Sequence, residues 1–249
     1  MSFSDEEVER YARHLVLREI GGPGQQALKA ASVLIVGAGG LGAPAALYLA
    51  AAGVGRMALA DADVVSLSNL QRQVLYGVAD VDKSKVKVAA WRLGELNPNV
   101  TVEPIAAAVT AETAGDLIAR FDLILDGTDN FATRLAINAA CVAAGKPLVS
   151  GAIGRWTGQV GVFAGRPCYR CLVPEIPPDA ETCAAVGVVG ALAGVIGSMM
   201  ALEAIKVITG AGEPLAGRLL IYDALAGEVR TVLIGADPQC PVCGLTAKA

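Results

Sequence analysis

Val33-Leu-Ile-Val-Gly-Ala-Gly-Gly-Leu-Gly-Ala-Pro44 decides the fold. Val33 to Val36 are apolar and mostly β-branched, the pattern of a strand buried on both faces of a parallel sheet. Gly37, Gly39 and Gly42 follow in G-x-G-x-x-G spacing, and Leu41 to Ala52 reads as an Ala-rich helix. Strand, glycine turn and helix are the parts of a nucleotide-binding crossover. Gly37 is expected to permit the tight turn, Gly39 to let backbone approach a phosphate, and Gly42 to let helix and strand pack closely. The helix N-terminus would offer free N–H groups and the positive end of its dipole to an anion. Ala58-Leu-Ala-Asp61 reads as the end of the next strand, with Asp61 19 residues beyond Gly42, where a carboxylate suits a ribose hydroxyl. This much predicts a nucleotide without separating NAD from ATP.

Working outward, the chain of 249 residues is long enough for one large α/β domain with its own core. Its 54% hydrophobic content lies mostly in Ala, Val and Leu, as a sheet covered on both faces requires. A net charge of −4 gives no basic field for nucleic acid. No charged N-region precedes an apolar core, so no signal peptide is expected and the location is read as cytoplasmic. Two uncharged runs, 32–55 and 182–202, exceed the roughly 20 residues that span a bilayer. The first resolves into strand, turn and helix. The second is broken by Gly187, Gly190, Gly194 and Gly197 and continues through Glu203 and Lys206, so its later part is read as a buried helix and no membrane is expected.

Toward the N-terminus, Ser4 and Glu7 form a capping box, and Val8, Tyr11, Ala12 and Leu15 are expected on one helix face with Arg10 and Arg13 on another. His14 is the lone histidine and is read as packing or surface. Residues 20–24 read as a loop and 25–31 as a short helix. Beyond Asp61 the polar stretch to Gln73 is long for a connection, which favours a functional loop. Asp82 is expected to cap the next helix, whose first turn would carry Lys83 and Lys85 against the helix dipole. That local conflict invites a bound anion. Strands are expected at 100–105, 121–126 and 147–150, with helices at about 111–120 and at 131–144. Asp126 and Asp129 then fall at the carboxyl end of a strand, where open α/β sheets bind ligands. Asp129 reads equally as a helix N-cap or a magnesium ligand. Alternation at 157–163, 218–223 and 228–234 predicts further strands, the last two a hairpin. The expected fold is a Rossmann-like α/β mixed sheet of about eight strands, parallel with an antiparallel end, helices on both faces.

Six cysteines include two C-x-x-C pairs, Cys168 with Cys171 and Cys240 with Cys243. Two such knuckles match a structural four-cysteine zinc site, with redox chemistry as the alternative. Cys141 lies in an apolar helix and reads as inert.

Together these motifs resemble the MoeB/ThiF family, bacterial relatives of ubiquitin-activating enzymes, over almost the whole chain. The carriers are Arg10-Tyr-Ala-Arg13, Gly37-Ala-Gly-Gly-Leu-Gly42, Asp61-Ala-Asp-Val-Val-Ser-Leu-Ser-Asn-Leu-Gln-Arg-Gln73, Lys83-Ser-Lys85-Val, Asp126-Gly-Thr-Asp129-Asn130 and the two cysteine knuckles. The segment 61–73 is far more specific than the glycines. The resemblance implies a single adenylation domain over 1–249, with an N-terminal helical segment and C-terminal antiparallel strands. It implies ATP-dependent adenylation of the C-terminal Gly-Gly carboxylate of a small ubiquitin-like sulfur-carrier protein, for molybdenum cofactor or thiamine biosynthesis. Mg2+ would assist and Zn2+ would be structural. On this resemblance Gly37, Gly39, Gly40 and Gly42 hold the nucleotide, Asp61 holds the ribose, and Asp129 holds magnesium. Arg72 and Lys85 meet the phosphates with Asn69 nearby, and Arg13 reaches the ATP of the other subunit of a homodimer. Cys183 aligns with a position where some relatives carry a cysteine that bonds to the carrier; adenylation does not need it. A separate sulfur donor protein is expected. The competing readings are an NAD-dependent oxidoreductase and a non-catalytic carrier-binding scaffold.

Overall fold

The computed structural model describes residues 2–176 and 187–245. Cys183 and the residues around it lie outside the described residues. Eight strands form one sheet: β1 (Ser32–Val36), β2 (Arg56–Ala60), β3 (Thr101–Ile105), β4 (Leu123–Asp126), β5 (Leu148–Gly154), β6 (Thr157–Phe163), β7 (Arg218–Asp223) and β8 (Glu228–Leu233). Their spatial order is β3-β2-β1-β4-β5-β6-β7-β8. The first five run parallel, and β5 to β8 pair antiparallel, with Gly151 opposite Val160 and Ile221 opposite Arg230. Strand order reverses between β1 and β4, the point at which such sheets open a ligand crevice.

Nine helices are described: α1 (Asp5–Arg10), α2 (Ala12–Leu15), α3 (Gly21–Ala30), α4 (Gly42–Ala51), α5 (Lys85–Leu96), α6 (Ala111–Ala119), α7 (Phe131–Ala144), α8 (Tyr169–Leu172) and α9 (Gly190–Thr209). They cover both faces. Because strand side chains alternate, Val33 and Ile35 enter one core with α4, α5 and α9, while Leu34 and Val36 enter a second with α6 and α7. Both sets are buried, which is why this strand shows no polar alternation. α9 is the one described helix long and apolar enough to cross a membrane. It instead packs on α3, α4, β5 and β6, with Leu192, Ile196, Met200 and Ala204 buried.

Three local expectations are corrected. The first helix breaks at Tyr11, whose ring packs against Gly53 and whose hydroxyl accepts a 2.8 Å bond from Asn97 Nδ2. Tyr11 is therefore buried, while Val8 and Ala12 face solvent. Residues 21–24 are not loop but the first turn of α3, where Pro23 loses no intrahelical bond. Asp82 does not cap α5: it sits at φ 67°, and Ser84 is the residue before the helix.

Candidate functional site

The crevice is built around the glycine turn. Gly37 has φ +89°, and a Cβ on Gly42 would lie 1.8 Å from the Gly37 carbonyl oxygen. No other residue type fits at Gly42 without opening the turn, so strand and helix meet there as the spacing predicts. Tyr76 donates a 2.7 Å bond to the Ala38 carbonyl, and burial pushes its phenol above the ordinary value, keeping it a donor. Asp61 follows β2 directly. Its carboxylate accepts the N–H of Ala38 at 2.8 Å and that of Asp63 at 2.8 Å. The residue expected to hold a ribose thus also fixes the turn beside it. Each of its oxygens keeps a further lone pair for a ligand.

A cleft of about 340 Å³ opens over the carboxyl ends of β1, β2 and β4. Gly37, Gly39 and Gly40 line it from the turn, and Asp61 and Asp63 from the end of β2. Arg72 and Gln73 come from the long loop, Lys85 from α5, and Asp129 and Asn130 from the end of β4. Segments spread over 94 residues, from Gly37 to Asn130, therefore meet in one crevice. Lys85 is 4% exposed, and its Nζ lies 2.8 Å from Asp63 Oδ2. Asp63 is itself 71% exposed, so a nearly buried cation at the first position of α5 leans on a solvated partner at the cleft wall. That resolves the conflict with the helix dipole: the lysine is held at the site and not dispersed in solvent. Arg72 donates to the Ser68 carbonyl at 3.2 Å, and its stem rests beside Gly40.

The structure separates the two aspartates of β4. Asp126 is fully buried and committed: Oδ1 accepts the Thr128 N–H at 3.0 Å and the Thr128 hydroxyl at 2.7 Å, and Oδ2 accepts the Ser150 hydroxyl at 3.0 Å. Asp129 lines the cleft, and the N-cap of α7 is Asn130, whose Oδ1 accepts the Thr133 N–H at 2.9 Å. The capping alternative for Asp129 therefore falls. Asn69 is not among the described residues lining the cleft; its carbonyl accepts the N–H of Arg72 at 3.0 Å and of Gln73 at 2.9 Å, shaping the turn that carries them. Arg13 is exposed and lies outside this cleft of its own chain.

Arg134 has no place in the sequence reading, yet it lines the cleft floor. It is 5% exposed and donates to Ser150 Oγ at 3.1 Å, to the Gly151 carbonyl at 2.8 Å, to Asp126 at 3.4 Å and to the Thr128 carbonyl. It ties the Asp129 loop to β5. Its signal is periodic: Arg134, Ile137, Asn138 and Cys141 are the buried face of α7, and two polar residues on such a stripe call for buried partners.

Beside α7, Cys168, Cys171, Cys240 and Cys243 place their Sγ atoms within 4.8 Å of one another. The shortest separations include 3.7 Å for Cys168 to Cys240 and 3.4 Å for Cys171 to Cys243. A tetrahedral ion with Zn–S bonds of about 2.3 Å needs sulfurs about 3.8 Å apart, so the four fit zinc. Asn138 donates to Cys168 Sγ at 3.6 Å. Cys141 is buried, and desolvation pushes its thiol up to about 12, so it is no nucleophile.

The ThiF family model matches residues 11–242. The chain is 49% identical to a sulfur carrier protein adenylyltransferase of Thermus thermophilus, over 98% of this chain and 93% of the relative. It is 48% identical to the molybdopterin-synthase adenylyltransferase of Escherichia coli, over 97% and 98%. Of relatives whose names join adenylyltransferase with sulfurtransferase, it spans 63% of one and 54% of another. Among solved structures, E. coli MccB with ATP superimposes with a TM-score of 0.76 at 27% identity, over 89% of this chain and 68% of that one.

Proposed function

The chain belongs to the ThiF family, and from that membership we propose that residues 1–249 act as one adenylation domain for a ubiquitin-like sulfur-carrier protein. The enzyme uses ATP to convert the carrier's C-terminal Gly-Gly carboxylate into an acyl-adenylate, releasing pyrophosphate. The observation that carries this is the cleft, where the glycine turn, Arg72, Lys85 and the carboxylate of Asp129 converge. The carrier belongs to the molybdenum cofactor or thiamine pathways, and the name of one relative, a molybdopterin-synthase adenylyltransferase, supports the first.

The attacking group is the carrier's own carboxylate, so the enzyme needs no nucleophile for this step. Its work is alignment and charge stabilisation. Gly37 to Gly42 seat the phosphates against backbone N–H groups, and Asp61 faces the ribose. Arg72 and Lys85 take up the charge that moves onto the departing pyrophosphate. Asp129 and its neighbours offer a site for Mg2+, which when bound neutralises phosphate charge. Arg13, exposed on its own chain, is assigned to the cleft of a second copy in a homodimer. Zn2+ at the four cysteines is structural, since a four-thiolate shell leaves no open position. A separate protein donates the sulfur. Cys183 is assigned at most a later covalent step with the carrier.

An NAD-dependent oxidoreductase explains Gly37 and Asp61 but leaves Arg72, Lys85 and Asp129 without work, and a non-catalytic scaffold leaves the whole cleft idle. ATP–pyrophosphate exchange, run against a panel of Gly-Gly-ending carriers, is the test. Exchange that requires one of them supports the reading; thermal stabilisation by NAD and not by Mg-ATP, with no exchange, defeats it.

A further inference from the structure

The cleft and the four-cysteine cluster share one helix, α7. Arg134 lies on the cleft floor, and Asn138, one turn later on the same buried face, touches the cysteines. Asn138 is 1% exposed, and both ends of its carboxamide are committed to the first knuckle. Its Nδ2 donates to Cys168 Sγ at 3.6 Å, and its Oδ1 accepts the N–H of Tyr169 at 2.8 Å. Tyr169 stands inside Cys168-Tyr-Arg-Cys171, between two candidate metal ligands. It is buried, with its ring edge-on to Phe163 and the centroids 5.5 Å apart. The Arg134 guanidinium stands against its phenol: burial raises the phenol's pKa, and the neighbouring cation opposes that rise. Arg134 in turn donates to the carbonyls of Thr128 and Gly151, and its backbone N–H bonds to the Asn130 carbonyl at 3.3 Å. Thr128 and Asn130 flank Asp129. A buried guanidinium must keep its donors paired, so a displacement of Tyr169 is passed to the loop and not absorbed by solvent.

We propose that Tyr169 is a positioning residue, through which metal held at the four cysteines fixes Arg134 and with it the 127–130 loop of the cleft. This rests on the adenylation reading and adds to it a link between its two sites. Bound metal holds the knuckle rigid, and the hydrogen bond from Asn138 to a thiolate fixes the knuckle against α7. Packing of Tyr169 on Phe163 needs only the ring, whereas the contact with Arg134 uses the hydroxyl. Coupling of this kind is reciprocal: if metal steadies the loop that faces the phosphates, a nucleotide bearing phosphates must slow the loss of metal.

The test follows zinc release from zinc-loaded wild type and Tyr169→Phe into excess of a colour-changing chelator, with no carrier present. Phe keeps the ring against Phe163 and the backbone bond to Asn138 and removes only the hydroxyl. Each protein is measured alone, with Mg-ATP, and with adenosine at a concentration that raises the melting temperature equally. Matching the two ligands removes the general stabilisation that any ligand gives the folded state. In wild type, Mg-ATP should slow release about fivefold or more beyond adenosine, the lower end of ordinary coupling. Tyr169→Phe should still carry zinc, but Mg-ATP and adenosine should slow its release alike. Equal slowing by the two ligands in wild type overturns the inference, whether or not the variant folds. An undiminished effect of Mg-ATP in Tyr169→Phe overturns it too. Wild type that binds no Mg-ATP defeats the adenylation reading itself, which is a separate outcome.

Discussion

Asp129 and Asn130 stand side by side at the end of β4, and the capping duty that the sequence leaves open at Asp129 falls to Asn130. Asn130 caps α7, so Asn130→Ala should cost about 1 kcal/mol of stability and spare the chemistry. Asp129→Ala should leave the unfolding midpoint nearly unchanged and abolish carrier-dependent pyrophosphate exchange. Exchange retained in folded Asp129→Ala protein would remove the metal role. Asp126 looked equivalent in the sequence, but only three dimensions reveal that Arg134 and Ser150 already occupy it. Arg134 itself was legible in principle, from its place on the buried stripe of α7, whereas its four acceptors come from β4, β5 and the loop after β4. Arg134→Met leaves Asp126 buried and uncompensated and should destabilise by about 3–5 kcal/mol in urea unfolding. A loss under 1 kcal/mol would show that the network carries little.

The elements around the glycine turn are legible in the sequence to within a residue or two, because β1, α4 and β2 have strong local patterns and all serve one crossover. The limits of the N-terminal helices are not legible in the local sequence, because distant partners set them: Gly53 and Asn97 fix the break at Tyr11. The long loop between β2 and α5 is held by Asp80, which accepts the Gly77 N–H at 2.9 Å and pairs with Arg92 at 2.6 Å. The Gly77 N–H first, then Arg92 and Lys83, hold its carboxyl below the ordinary value. Arg120 and Arg56 do the same for Glu103. A lowered folded-state value contributes stability that is fully present above the unfolded value, about 4, and is lost as pH falls through the folded one. The urea midpoint should therefore be flat from pH 7 to about 5 and drop below about 4. Asp80→Asn should lower the plateau and shallow the acid limb; an unchanged profile would count against this anchor. The cysteine knuckles join the segment after β6 to the one after β8, which sequence spacing alone could pair but not place. Elemental analysis should find one zinc per chain, and Cys168→Ser should lose both the metal and several degrees of melting temperature.

Across the whole molecule, the sheet's parallel half carries the cleft, and its antiparallel half extends away from it toward β8. Arg13 projects from the N-terminal helices outside its own cleft. If it serves a second copy, Arg13→Ala and Asp129→Ala, each inactive alone, complement on mixing. Half of randomly paired dimers are mixed and hold one intact site of two, so about a quarter of wild-type exchange should return. Confirmed subunit exchange with no recovery would place Arg13 elsewhere. The proposed reaction forms an acyl-adenylate on a carrier's terminal glycine. Its most direct measurement is a rapid-quench single turnover with ATP labelled at the α-phosphate and a Gly-Gly-ending carrier. Labelled AMP should appear on the carrier's C-terminus, with one pyrophosphate released for each AMP transferred and nothing with a carrier lacking its last glycine. Label that appears only as free AMP, or on the enzyme, or equally with the truncated carrier, would contradict it.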